Sequence, residues 1–154
     1  MERKYVYALS DTYRQFLDNG KTERECVVQA VEFAEAKGYV NLNDIIKSNT
    51  SIKAGDKIYY THMDKSIALF NIGTDDIELG MNILGAHIDS PRIDVKQNPQ
   101  YEDSSLVFWD THYYGGIKKY HWVAMPLAIH GVGVKTEGTR MNINIGDEET
   151  EPVF

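Results

Sequence analysis

His87 and Asp89 are the two side chains whose types and spacing most directly offer chemistry. They stand in residues 81–95, M-N-I-L-G-A-H-I-D-S-P-R-I-D-V, just after the apolar run Ile83, Leu84, Gly85 and Ala86. A short apolar run that ends in small residues predicts a buried strand whose far end other backbone approaches closely. Residues two apart on a strand face the same side, so His87 and Asp89 project together from its carboxyl end while Ile88 turns into the core. Open α/β sheets place their ligands at that end. A metal-ligating imidazole needs its second ring nitrogen held, and a carboxylate at i+2 accepts that N–H, fixes the tautomer and raises ligand basicity. Pro91 removes a backbone donor and biases Ser90 toward extended geometry, so the strand stops or turns there. The same two residues also suit a histidine and an aspartate that lie at a strand end with no metal nearby.

The longer string G-A-H-I-D-S-P, with His87, Asp89, Ser90 and Pro91 in it, resembles the first metal-ligand motif of the M18 aminopeptidases, the aspartyl aminopeptidase and vacuolar aminopeptidase I family. Tyr113-Tyr114-Gly115-Gly116-Ile117 resembles the Tyr-Gly-Gly segment that follows the motif in that family. The order of two helices and then a hairpin before the motif strand is similar too. The resemblance implies two zinc ions held by histidines and carboxylates, with His87 a metal ligand and Asp89 the catalytic-site aspartate that orients it. It further implies that the metals bind the free amino end of a peptide and polarise the scissile carbonyl, while a glutamate base deprotonates a bridging water. The bridging carboxylate, the base and the other ligands have no counterpart before Phe154. M18 chains are much longer than 154 residues, so the resemblance implies an N-terminal portion with an incomplete site.

Positioning such a site takes a core, and a chain of 154 residues with 42% hydrophobic and 25% charged residues can build one. A net charge of −7 argues against a nucleic-acid partner, which calls for a basic face. The single cysteine, Cys26, makes no internal disulfide and falls on the apolar face of a predicted helix. No apolar stretch has the length of a signal-peptide core or a membrane span. The expectation is a cytoplasmic protein that engages no membrane.

Leu9, Tyr13, Phe16 and Leu17 recur at helical spacing and predict a short helix over residues 7–17, capped by Ser10 or Asp11 and stopped by a left-handed Asn19-Gly20. Thr22-Glu23-Arg24-Glu25 reads as a capping box, followed by the stripe Cys26, Val27, Ala30, Val31 and Ala34, with Gly38 as the stop. Residues 39–50 suit a helical turn and a loop. Residues 57–61 and 66–72 read as a hairpin around His62-Met63-Asp64-Lys65. His62 and Asp64 repeat the His-x-Asp spacing, but a turn keeps both hydrated, and Asp75-Asp76 reads as a further turn.

After Pro91 the pattern is all strand: Ile93 and Val95 alternate with Asp94 and Lys96, and residues 106–109, 120–124, 127–134 and 141–145 follow as strands. The shift near residues 96–102 predicts a domain boundary, with 1–97 the α/β portion and 98–154 a β-rich one. His112, His121 and His130 are spaced nine apart but fall on different predicted elements, which argues against a metal site. The fold class expected from the resemblance is α/β: the N-terminal part of a mixed-sheet zinc-peptidase catalytic domain, then the start of an inserted all-β domain that mediates subunit contacts. Peptide is the expected substrate and a homo-oligomer the expected state. The alternatives are a β-rich interaction module without catalysis, and another co-catalytic metallopeptidase family that uses His-x-Asp. An aminopeptidase assay of this 154-residue chain is expected to find no turnover, and measurable hydrolysis would show that it holds a complete ligand set.

Overall fold

A computed structural model describes residues 3–154. The chain divides into two units, the first ending at Ile88 and the second running Asp89–Phe154. The expected boundary at 97/98 falls at the register shift within the strand Arg92–Asp103.

The first unit opens with α1 (Arg3–Asn19) and α2 (Glu23–Ala36). Helix α1 starts well before Ser10, so neither Ser10 nor Asp11 caps it; no breaker interrupts Arg3 to Ala8, and Thr12 bonds back to the Ala8 carbonyl from inside the helix at 3.0 Å. The expected left-handed stop is also absent, because neither Asn19 nor Gly20 has positive φ. Gly20 serves space instead. A Cβ there would lie 2.7 Å from Cys26 Sγ and 3.0 Å from the Phe16 carbonyl oxygen, so only glycine lets the end of α1 close on α2. Gln29 Nε2 donates to that carbonyl at 3.0 Å, and the Phe16 and Phe33 rings stack at 6.2 Å.

Helix α2 follows the expectation at both ends. The Glu25 amide donates to Thr22 Oγ1 at 3.3 Å and the Thr22 amide to Glu25 Oε2 at 2.8 Å, which satisfies two orphan donors of the first turn. At the other end Tyr39 N donates to Ala34 O at 3.0 Å and Gly38 N to Glu35 O at 2.9 Å, with Gly38 at φ +83°. That is a Schellman stop, which uses the left-handed glycine to satisfy orphan carbonyls.

A mixed sheet follows: β1 (Val40–Asn41) runs parallel to β2 (Lys57–His62), and β2 pairs antiparallel with β3 (Ser66–Asn71), with α3 (Leu42–Lys47) between β1 and β2 in the chain. Ile58 and Tyr59, successive residues on opposite faces of the central strand, are both buried. With Cys26, Val27 and Ala34 of α2 they are the buried apolar residues among those described. Met63 and Asp64 turn the β2–β3 hairpin with φ 53° and 56°, the mirror-image geometry that matches strand twist.

Residues 80–91 form neither helix nor strand, so the buried motif strand expected at 83–86 is not present. Ile83 is 81% exposed and Leu84 fully exposed. A strand exists only by its ladder, and β3 before the run and β4 after it pair elsewhere.

The second unit carries two separate antiparallel ladders, β4 (Arg92–Asp103) with β5 (Leu106–Tyr114), and β6 (Ile129–Val134) with β7 (Arg140–Ile145). Ser104 and Ser105, at φ 54° and 64°, close the first hairpin with a two-residue turn. The strand expected at 120–124 is a single 3₁₀ turn at Lys119–His121. Its amides bond backward, His121 N to Lys118 O at 2.8 Å and Trp122 N to Lys119 O at 3.0 Å, so they are not available to a ladder. No described helix is long and apolar enough to cross a membrane.

Tyr59 Oη donates to Glu35 Oε1 at 2.7 Å. The carboxylate that accepts this bond, with burial adding to it, raises the phenol above its ordinary range, since a phenolate there would lose the bond and face a negative charge. A raised native pKa means that the contribution is complete below the unfolded value of about 10 and is lost as pH climbs through the native value. Tyr59→Phe is expected to cost about 0.5–1.5 kcal/mol at pH 7 and progressively less above pH 10, read by urea unfolding at both pH values. A difference that is constant with pH would remove the phenol–carboxylate bond from the account.

Candidate functional site

His87 is exposed and closes the first unit, and half-buried Asp89 opens the second. Both lie on irregular backbone. The first regular element beyond them is β4, whose register with β5 sets Arg92 opposite Tyr114, Ile93 opposite Tyr113 and Asp94 opposite His112.

That pairing brings the two segments singled out in the sequence against each other. Gly115 stands one residue past β5 with φ +75°, and a Cβ built on it would lie 3.5 Å from Pro91 Cα and 3.7 Å from Pro91 Cβ. The proline of Asp89-Ser90-Pro91 is therefore seated on the first glycine of Tyr-Gly-Gly. Next to it the Arg92 guanidinium lies 4.1 Å from the centroid of the Tyr114 ring, within cation–π range. Arg92 Nε donates to Asp94 Oδ1 at 2.7 Å, and Asp94 Oδ2 lies 3.8 Å from His112 Nε2. The partly buried Arg92–Asp94 pair is less screened than an ordinary surface pair.

Arg92 and Asp94 did not stand out as site residues in the sequence, and Tyr114 and Gly115 did so only as part of the Tyr-Gly-Gly segment. The available signal was Arg-x-Asp on a period-2 strand, which places both side chains on one face. The aromatic partner comes from the facing strand and is invisible without the register.

The three evenly spaced histidines are not brought together by their neighbours. His112 faces Asp94 on β5, His121 packs edge-on to Tyr120 at 4.3 Å, and His130 on β6 lies 3.2 Å from Asp147 Oδ2. His62 ends β2, exposed, with its ring 6.5 Å from that of Tyr60. Cys26 is buried against α1, its thiol raised above the ordinary value by burial and then by Glu25 and Glu23, as suits a packing residue. Among the described residues no group of three or more His, Cys, Asp or Glu comes together to hold a metal. His87 and Asp89 thus have the donor chemistry of one ligand and its partner, whereas a zinc site needs four donors.

The chain matches the family model described as aminopeptidase I zinc metalloprotease (M18) over residues 16–154. It is 52% identical over 151 residues to a Clostridium acetobutylicum protein named "Probable M18 family aminopeptidase 1", an alignment that covers 98% of this chain and 32% of that one. Among solved structures it is similar to an M18 family aminopeptidase of Thermotoga maritima, with TM-score 0.89 and 41% identity over 99% of this chain and 33% of that one. Aminopeptidase I of Borrelia burgdorferi B31 gives TM-score 0.86 at 39% identity over the whole of this chain and 38% of its own. The chain spans about a third of the length of the relatives it matches.

The proline seat depends on a glycine in the left-handed region. Gly115→Ala is expected to destabilise the β4–β5 unit by about 1–2 kcal/mol, through backbone strain and not through a clash, since the new methyl would meet Pro91 at ordinary contact distance. Urea titration followed by tryptophan fluorescence would read it, and an unchanged midpoint would mean that the backbone relaxes out of this conformation at no cost.

Proposed function

Because the chain belongs to the M18 family of aminopeptidase I zinc metalloproteases, we propose that it is the N-terminal third of a metal-dependent aminopeptidase that removes residues from the amino end of peptides. The observation that carries the reading is the seating of Pro91 on Gly115 beside the Arg92–Tyr114 pair, because it brings together the two segments by which the chain resembles the family.

In this reading His87 is a zinc ligand and Asp89 accepts the N–H of its other ring nitrogen, which keeps the imidazole in the tautomer and orientation that ligation needs. When bound, a zinc pair supplies Lewis acidity to the scissile carbonyl and to the attacking water. The second metal's ligands and the general base come from sequence beyond these residues. Residues 1–97 belong to the catalytic portion, and 98–154 begin a β-rich part that pairs subunits in a cytoplasmic homo-oligomer. Support for subunit pairing comes from β5, where Leu106 and Val107 are 60% and 64% exposed on a two-stranded ladder that has no further strand beside it among the described residues.

Elemental analysis tests the metal directly. The enzyme of full family length, dialysed against metal-free buffer, is expected to hold about two zinc per chain and His87→Ala to hold fewer. No metal in either folded protein would replace the aminopeptidase with a β-rich interaction module.

A further inference from the structure

Neither His87 nor Asp89 stands on a regular element, and the first fixed backbone after them begins at Arg92. The course of the backbone that leaves Asp89 is fixed by what anchors residues 91 and 92. Pro91 rests on Gly115. Arg92 is held on its face by the Tyr114 ring at 4.1 Å and along its edge by Asp94 Oδ1 at 2.7 Å. Asp94 is in turn fixed from across the ladder, where its paired residue His112 approaches the second carboxylate oxygen at 3.8 Å. A planar guanidinium held on both its face and its edge keeps little rotamer freedom, and its side chain is only 26% exposed.

We infer that Arg92, locked by Asp94 and Tyr114, is a positioning residue that keeps Pro91 against Gly115 and so sets the Asp89 carboxylate that orients the zinc-ligating imidazole. The inference rests on the aminopeptidase reading. Lysine cannot take the place of Arg92, because an ammonium has neither the broad planar cation that lies over Tyr114 nor an Nε–H directed at Asp94.

The test uses the zinc-loaded enzyme of full family length and its Arg92→Lys and Asp94→Asn variants. Zinc affinity is measured by competition with a chromogenic chelator, kcat and KM are measured separately on aminoacyl p-nitroanilides, and melting is followed by circular dichroism. Both variants are expected to melt as folded proteins, to bind zinc about 10- to 100-fold more weakly, and to lose kcat by a similar factor at nearly constant KM. Lys96→Gln, which breaks the neighbouring 2.9 Å ion pair with Asp110 on the same hairpin, is expected to leave all three quantities unchanged. Folded variants with parental zinc affinity and kcat would overturn the positioning role, as would a Lys96→Gln enzyme that loses zinc equally. If Arg92→Lys does not fold, the nearly isosteric Asp94→Asn decides the matter. A parent that binds no zinc removes the metal reading and the positioning role together, whereas a zinc-bound parent with unaltered variants removes only the latter.

Discussion

The seat of Pro91 on Gly115 is the contact on which the candidate site depends, and the register of one antiparallel ladder creates it. At the turn end of the hairpin Asp103 faces Leu106. Carried on unbroken, that register would set Arg92 opposite Ile117. A bulge between Val95 and Gln100, where residues 96–99 face the single residue Asp110, shifts the pairing so that Arg92 meets Tyr114 and Pro91 meets Gly115. Pro99 lies within that bulge, one of the few places in a ladder where a missing amide costs little. The irregularity is thus what aligns the motif with its glycine.

The first unit answers to different constraints. Its central strand buries Ile58 and Tyr59 on opposite faces, Cys26, Val27 and Ala34 are the buried residues of α2, and the Tyr59–Glu35 bond is the polar tie between the two elements. Local chemistry places α2 correctly at both ends: the reciprocal Thr22–Glu25 bonds start it and the Gly38 Schellman turn ends it. Both signals act over three to five residues, so they survive whatever the rest of the chain does. That is why the second helix was legible from its letters.

The apolar run before the motif shows the opposite case. Ile83 and Leu84 have the pattern of a buried strand, yet they stand 81% and 100% exposed on irregular backbone. Pattern reports how a segment would be buried if neighbours were present; it supplies no neighbour. The misreadings of Gly20 and of residues 120–124 have the same origin. Gly20 is glycine because Cys26 Sγ and the Phe16 carbonyl stand where a Cβ would go, and the amides of His121 and Trp122 bond back to Lys118 and Lys119 and not into a ladder.

By itself the sequence determined the α/β character of the chain, the ends of α2 and the hairpin that precedes the motif, and it singled out His87 and Asp89 by their donor chemistry. Each of these follows from side-chain periodicity or from bonds between residues close in the chain. Only the tertiary structure decided that Pro91 meets Gly115, that Arg92 is gripped by Asp94 and Tyr114, and that the run at 83–84 is uncovered. Those outcomes depend on which residues face one another across a ladder, and a single bulge in β4 changes that answer without leaving a periodic trace in the sequence.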